Sequence, residues 1–376
     1  MTDAVESWNA FDASALANDA TAALRAYDPG HDLPALRKRF GAAIAELGSN
    51  ENPLGPSPLA IDAMRHAISE TFRYPDPRGL SLKTALSSNL GVAVDRIALG
   101  NGSHELLMLL AQCFADAAHS IAYSQFGFAV FSIATAAAGA IALRIPALGR
   151  DHPHAPYGHD LDAIAAAIRP DTRIVYLANP NNPTGTWFDD AQLDRFVAHV
   201  PRDVLIVVDE AYCEYIDTAG LTSALRLADR HPNLIVTRTF SKAYGLAGLR
   251  VGYLIAHPSV VAVLERLRES FNVNCVALAA AEGALADAGH LARVRAFNTA
   301  ERAWLVAGLI EHGYAPLPSQ TNFVLVDLGR DAAPFERHLF ERGVIVRPMQ
   351  GYGLADTVRI SIGDRKENQR LLDALP

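Results

Sequence analysis

The stretch Arg173-Ile174-Val175-Tyr176-Leu177-Ala178-Asn179-Pro180-Asn181-Asn182-Pro183-Thr184-Gly185 reads as a strand that stops in a turn, because two prolines and a glycine forbid regular continuation. A helical period follows over 190–200, and then Val204-Leu205-Ile206-Val207-Val208, apolar throughout, ends in Asp209-Glu210. Strand, helix and strand in this order place the two strands side by side and parallel, with the helix on one face. The same rhythm runs outward in both directions. Upstream, 96–99 is a short strand followed by Gly100-Asn101-Gly102-Ser103 and a helix over 104–114. Downstream, the strand 233–237 delivers the chain to Thr239-Phe240-Ser241-Lys242-Ala243-Tyr244-Gly245-Leu246-Ala247-Gly248-Leu249-Arg250. The fold class is therefore α/β, a mainly parallel sheet covered by helices. Ligands of such sheets sit beyond the carboxyl ends of the strands, where each of these polar clusters lies. Four clusters converge on one rim.

The flanks differ in character. Residues 1–76 hold a polar arm, a proline-rich stretch and one helix over 58–71, with Ser57 as its N-cap and Pro58 in its first turn. A long helix is expected over 290–312, stopped by Gly313, followed by strands at 322–327, 344–347 and 358–362. These elements suggest a small α+β domain built from both ends of the chain. The expected division is an arm over 1–48, a small domain from 49–76 with 273–376, and a large domain over 77–272.

The 376 residues are half hydrophobic and 20% charged, which suits a substantial core and more than one domain. A net charge of -8 with both signs intermixed leaves no basic stripe, which argues against nucleic acid as a partner. No stretch approaches the roughly 20 apolar residues of a membrane span. The alanine-rich 133–143 comes closest and is read as a buried helix. The first 19 residues lack the basic and apolar regions of a signal peptide, and three scattered cysteines suggest neither disulfides nor a zinc cluster. A cytoplasmic protein is expected.

Chemistry concentrates around Lys242. It lies between hydroxyl residues with an arginine downstream, a layout that suits a lysine forming a Schiff base beside a bound phosphate. Asp209, at the end of an apolar strand, is partly desolvated; its pKa should rise unless a cation or donor offsets this. It either caps the next turn or faces a cationic group of a ligand. Asn182 is either a turn residue or an amide donor to a ligand oxygen, which Tyr212 would also reach. Gly102 and Ser103 open a helix, where free N–H groups favour a phosphate. His152, His154 and His159 crowd one loop without metal-ligand spacing and read as loop residues. Cys213 reads as a small buried residue.

Taken together these segments resemble the fold-type I pyridoxal-phosphate aminotransferases, and among them the histidinol-phosphate aminotransferase group. The resemblance covers about 27–363 and rests on Ser49-Asn50-Glu51-Asn52-Pro53-Leu54-Gly55-Pro56-Ser57-Pro58, Tyr74-Pro75-Asp76, the 179–185 turn, Asp209-Glu210-Ala211-Tyr212, the 241–250 run, Gly343-Val344-Ile345-Val346-Arg347-Pro348 and Val358-Arg359-Ile360-Ser361-Ile362-Gly363. It implies a large domain with a seven-stranded, mainly parallel sheet sandwiched by helices, and a small α+β domain. It further implies that Lys242 binds the aldehyde of pyridoxal 5′-phosphate and shuttles the substrate proton. Asp209 would face the pyridine nitrogen, Asn182 and Tyr212 the phenolic oxygen, and Phe128 would stack on the ring or simply join the core with Phe126 and Phe131.

The phosphate would be held by Gly102, Ser103, Thr239, Ser241 and Arg250, with Tyr74 reaching in from the other subunit of a homodimer. His104 departs from the acidic residue common at its position; it would add a donor to the phosphate or merely occupy the helix. Arg359 resembles the arginine that grips the substrate α-carboxylate, and Arg347, Asn322, Asn52 and Tyr27 look like further substrate-side residues. The implied reaction is ping-pong amino transfer from histidinol phosphate to 2-oxoglutarate, an amino-acid biosynthetic role. The alternatives are an aromatic amino acid aminotransferase or a lyase of the phosphothreonine decarboxylase kind.

Overall fold

The computed structural model describes residues 12–22, 24, 33–41 and 44–376. Tyr27 lies outside the described residues. The central sheet has seven strands, β1 (Ile97–Gly100), β2 (Ser120–Ser124), β3 (Ile141–Ile145), β4 (Thr172–Ala178), β5 (Leu205–Asp209), β6 (Leu234–Thr239) and β7 (Gly252–Ile255), in the order β1-β7-β6-β5-β4-β2-β3. Only β7 runs against its neighbours. It follows β6 through a loop with no crossover helix, and without a crossover a returning strand must be antiparallel.

Alternation along the inner strands explains the two cores. Val175, Leu177, Ile206, Val208 and Val236 point to one face. Ile174, Tyr176, Val207 and Ile235 point to the other, where they meet Leu106, Leu107 and Leu110 of the helix Gly102–Phe114. Each such side chain contributes about 1.5–3 kcal/mol by leaving water. The helix Asp190–His199 starts with a capping box, Asp189 accepting from the Gln192 N–H and Gln192 returning a bond to the Asp189 N–H.

The alanine-rich segment 133–143 differs from the expected helix. Its first part belongs to the helix Ala129–Ala137, but Gly139, at φ +69°, breaks it, and Ile141–Ile145 becomes an edge strand of the sheet. Alanine content alone carried no sign of that break.

The helix Pro58–Ala67 begins as expected, with the Ser57 hydroxyl accepting from the Ala60 N–H. It packs on the helix Cys275–Ala286, and Ala60, Ala277 and Ala281 sink into the core of the larger sheet. A side chain at Gly283 would come within 2.6 Å of the Leu59 carbonyl, so this close approach requires glycine.

A second sheet holds β8 (Ala315–Pro316), β9 (Phe323–Asp327), β10 (Arg347–Met349) and β11 (Leu354–Ser361), all antiparallel, in the order β10-β11-β9-β8. The helix Ala288–Glu311 covers it through Leu305 and Leu309, against Val324, Val326, Val358 and Ile360. The expected strand 344–347 is split. Val344–Ile345 pairs in parallel with Ala45–Glu46, whereas Arg347 begins β10.

Candidate active site

The carboxyl ends of β4, β5 and β6 face β10, β11 and residues 48–50 across a cavity of about 250 Å³. Lys242 follows β6 into this space. Its Nζ lies 3.5 Å from the Ser49 carbonyl and 3.4 Å from that of Asn50, and 5.9 Å from the centre of the Tyr212 ring. Burial lowers its pKa to about 8, helped by the charges of Arg359 and Arg250 and opposed by Glu51 and Asp209. A lysine so placed is a ready nucleophile near neutral pH.

Asp209 ends β5, is buried, and accepts a 2.8 Å bond from the Thr237 hydroxyl. Burial pushes its pKa up to about 7; Thr237 opposes this and the charge of Glu210 adds to it. The nearby Glu210 has its own partners, Arg238 at 2.9 and 3.0 Å and Ser223 at 2.8 Å. Asp209 is therefore a desolvated acid at the cavity floor whose charge a cationic group of a ligand would stabilise.

Between β1 and the helix Gly102–Phe114 the N-cap Asn101 makes no side-chain cap, so the first-turn N–H groups lack one where Ser103 and His104 line the cavity. Arg250, at φ +56°, leans over this turn and reaches Ser241 Oγ at 3.3 Å and the Asn101 carbonyl at 3.4 Å. Thr239 Oγ1 donates to Ser241 Oγ at 3.0 Å. A Cβ on Gly102, at φ +78°, would stand 2.7 Å from Arg250 Nη2, and one on Gly252 only 2.6 Å from the Ser103 nitrogen. Free N–H groups, hydroxyls and a guanidinium thus form one cradle for an anion. His104 also lines it, its pKa lowered by burial and by the charge of Arg250.

Phe128 lines the cavity and packs edge-on against Phe131, with centroids 6.0 Å apart, so it meets both the ligand space and the core. Tyr212 is buried, edge-on to Phe323 at 5.3 Å. Arg359 donates to Asn182 Oδ1 at 2.6 Å and to the Gly48 carbonyl at 2.8 Å, while its buried Nε has no hydrogen-bond partner among the described residues. Arg347 lines the same wall.

Three expected site residues are not among those that line this cavity. Asn322 donates to the carbonyls of Asn50 and Glu51, and Asn52 donates to the Ala243 carbonyl; both brace the backbone behind the cavity. Tyr74, expected to reach the site of a second subunit rather than this one, is 83% exposed and stacks on Phe271 at 4.6 Å. Conversely, Asn50, Met349 and Tyr352 line the cavity without having been singled out. Asn50 sat inside a quoted motif. Tyr352 had only its two flanking glycines as a signal. His159 is buried and bonds the Ala178 backbone, its pKa pushed down to about 4 by burial, and no cluster suited to a metal occurs among the described residues.

A half-buried lysine, a buried acid and an anion cradle at the carboxyl ends of the strands define a class of enzyme. The family described as aminotransferase class I and II matches residues 43–375, and the chain belongs to it. Among its relatives, a histidinol-phosphate aminotransferase 1 of Nitrosococcus oceani is 46% identical over 353 residues, covering 94% of each chain. A histidinol-phosphate aminotransferase 2 of Pseudomonas aeruginosa is 47% identical, covering 96% of this chain and 97% of that one. The crystal structure of the Sinorhizobium meliloti histidinol-phosphate aminotransferase in complex with pyridoxal-5′-phosphate superposes with a TM-score of 0.85 at 34% identity, covering 96% of both chains.

Proposed function

We propose that this chain transfers the amino group of histidinol phosphate to 2-oxoglutarate, using pyridoxal 5′-phosphate. The observation that carries the reading is the meeting of Lys242, Asp209 and the cradle of Ser103, Ser241 and Arg250 in one cavity. These residues fit the cofactor: the cradle suits its phosphate, Asp209 its ring nitrogen, and Lys242 its aldehyde. When bound, the cofactor supplies an aldehyde for the amino group and a sink for the electrons released at the substrate α-carbon.

The protein's own residues do the rest. Lys242, neutral above about pH 8, accepts the α-proton on Nζ and returns it. Asp209 holds positive charge on the ring side, Phe128 offers a flat apolar wall, and Asn182 and Tyr212 offer polar hydrogens. Arg359 binds the anionic end of either substrate, the carboxylate of 2-oxoglutarate or the phosphate that histidinol phosphate carries in its place. Arg347 adds a second guanidinium.

A homodimer belongs to the same proposal. Phe72 and Tyr74 are 74% and 83% exposed, close in sequence to exposed Ile68 and Leu80, and a second copy covering this apolar surface would carry Tyr74 toward the partner's cradle. Sedimentation at low concentration tests it. A cytoplasmic location is proposed with it; all three cysteines are free, and no described helix is long and apolar enough to cross a membrane. We place the boundary of the small domain near 287, because the helices Pro58–Ala67 and Cys275–Ala286 join the larger core.

The decisive experiment presents histidinol phosphate, phenylalanine, tyrosine and phosphothreonine to the cofactor-loaded protein and follows the cofactor absorbance. Histidinol phosphate should react fastest. Equal rates with phenylalanine would overturn the choice of donor.

A further inference from the structure

Asn50 is 2% exposed and its backbone takes φ +56°, a left-handed conformation that asparagine tolerates better than most residues. Several bonds hold it there. Its N–H donates to Ser361 Oγ at 2.8 Å, and its carbonyl accepts from Asn322 at 3.0 Å and from Lys242 Nζ at 3.4 Å. Its side-chain amide spans from Ser361 Oγ, at 3.2 Å, to Tyr212 Oη, at 3.0 Å.

The direction of this chain of bonds follows from counting hydrogens. Ser361 Oγ already receives the Asn50 N–H, and the only acceptor for its own hydrogen among its described contacts is Asn50 Oδ1. The reversed amide would strand that hydrogen in a site where Ser361 is 3% exposed, at a cost typical of a buried unsatisfied donor. Oδ1 therefore faces Ser361 and Nδ2 faces Tyr212. A phenol oxygen has one hydrogen; with Nδ2 donating to it, that hydrogen points away from Asn50. What lies on that side is the cavity, which Tyr212 lines together with Lys242.

We propose that Ser361 and Asn50 are positioning residues that force the Tyr212 hydroxyl to act as a donor toward the cofactor's ring oxygen. Neither is required to touch the substrate. Their part is to remove the alternative in which Tyr212 spends its hydrogen on the protein. The same strand that brings Arg359 to Asn182 brings Ser361 to Asn50, so both polar groups assigned to that oxygen are set from β11.

Given the cofactor proposed above, the test compares Tyr212→Phe, Ser361→Ala and Asn50→Asp singly, and the last two each combined with Tyr212→Phe. Two quantities are read: pyridoxal phosphate affinity, from quenching of protein fluorescence, and the pH midpoint of the bound cofactor's absorbance change. A donor to the ring oxygen stabilises its anion, so Tyr212→Phe should raise the midpoint. Asn50→Asp, which presents only acceptors to Tyr212, and Ser361→Ala, which frees the amide to turn, should raise it by roughly 0.5 to 1 pH unit. In the Tyr212→Phe background Ser361→Ala should shift it no further, and Asn50→Asp should shift it only by the effect of its added charge.

Shifts that add fully to that of Tyr212→Phe would overturn the proposal, since they would then arise without the hydroxyl. If Asn50→Asp does not fold, Ser361→Ala, at a residue that neither bonds Lys242 nor itself lines the cavity, decides alone. A wild-type chain that binds no pyridoxal phosphate would overturn the functional reading as well; binding with additive shifts overturns this inference only.

Discussion

Arg347 and Arg359 are register partners on the adjacent antiparallel strands β10 and β11, and both reach the same wall of the cavity. Two guanidinium groups on neighbouring strands repel one another, and an anion between them removes that cost. The wall is therefore built for a ligand with a strongly negative end. Arg359→Ala should raise KM for donor and keto acid alike, by about 10- to 100-fold, the usual loss for a charge-assisted bond. Arg347→Ala should raise KM for histidinol phosphate more than for phenylalanine. Steady-state kinetics with both donors checks the difference.

Lys242→Ala should abolish turnover while leaving the fold intact by circular dichroism. In the unaltered protein, capture of pyridoxal phosphate requires the neutral amine. With a pKa of about 8, the neutral fraction, and so the capture rate, should rise about tenfold per pH unit below that value and level off above it. Stopped-flow absorbance over a pH series reads the profile directly.

Asp209 predicts a pH dependence of stability in the cofactor-free protein. Its pKa is about 7 when folded and 3.8 by default, so between those values the folded state holds a proton that the unfolded state has lost. Its contribution is thus present below about pH 4 and lost as pH rises through 7. Asp209→Asn removes the ionisation, so the variant's Tm should gain on wild type as pH rises from about 5 to about 8, on the order of a few °C. Calorimetry of the two proteins side by side measures the gap.

Gly102→Ala should weaken pyridoxal phosphate binding at least tenfold, because the methyl group would meet Arg250 at 2.7 Å and the φ of +78° disfavours any side chain. Gly149→Ala is the matched control, since nothing lies within 4 Å of its added carbon. Equilibrium titration followed by fluorescence separates them.

How much of this was legible in the sequence varies with the kind of signal. The inner strands were, because Val204 to Val208 and Ile174 to Ala178 are apolar on both faces and end in polar turns. Asp209, Lys242 and Arg250 stood out because charge at the end of an apolar strand is rare enough to need a reason. The edge strand Ile141–Ile145 was hidden, since its half-exposed residues resemble the helix before it and only Gly139 marks the change. Asn322 and Asn52, read as substrate-side residues, donate to backbone carbonyls; an amide looks the same in sequence whichever way it faces. Asn50 escaped notice for the complementary reason: its importance lies in bonds to Ser361 and Tyr212, partners far away along the chain.

The parallel pairing of Ala45–Glu46 with Val344–Ile345 bears on how the molecule is made. The first partner leaves the ribosome before any of the central sheet, and the second only after all of it. The central sheet draws its strands from one continuous middle stretch and is able to form first. Closure of so long a loop comes late and slowly. Asn50, Arg347, Arg359 and Ser361 all belong to that final closure, so a nascent chain possesses Lys242 and Asp209 well before it possesses the wall that receives the substrate. Catalytic competence is thereby deferred until after the central sheet is complete.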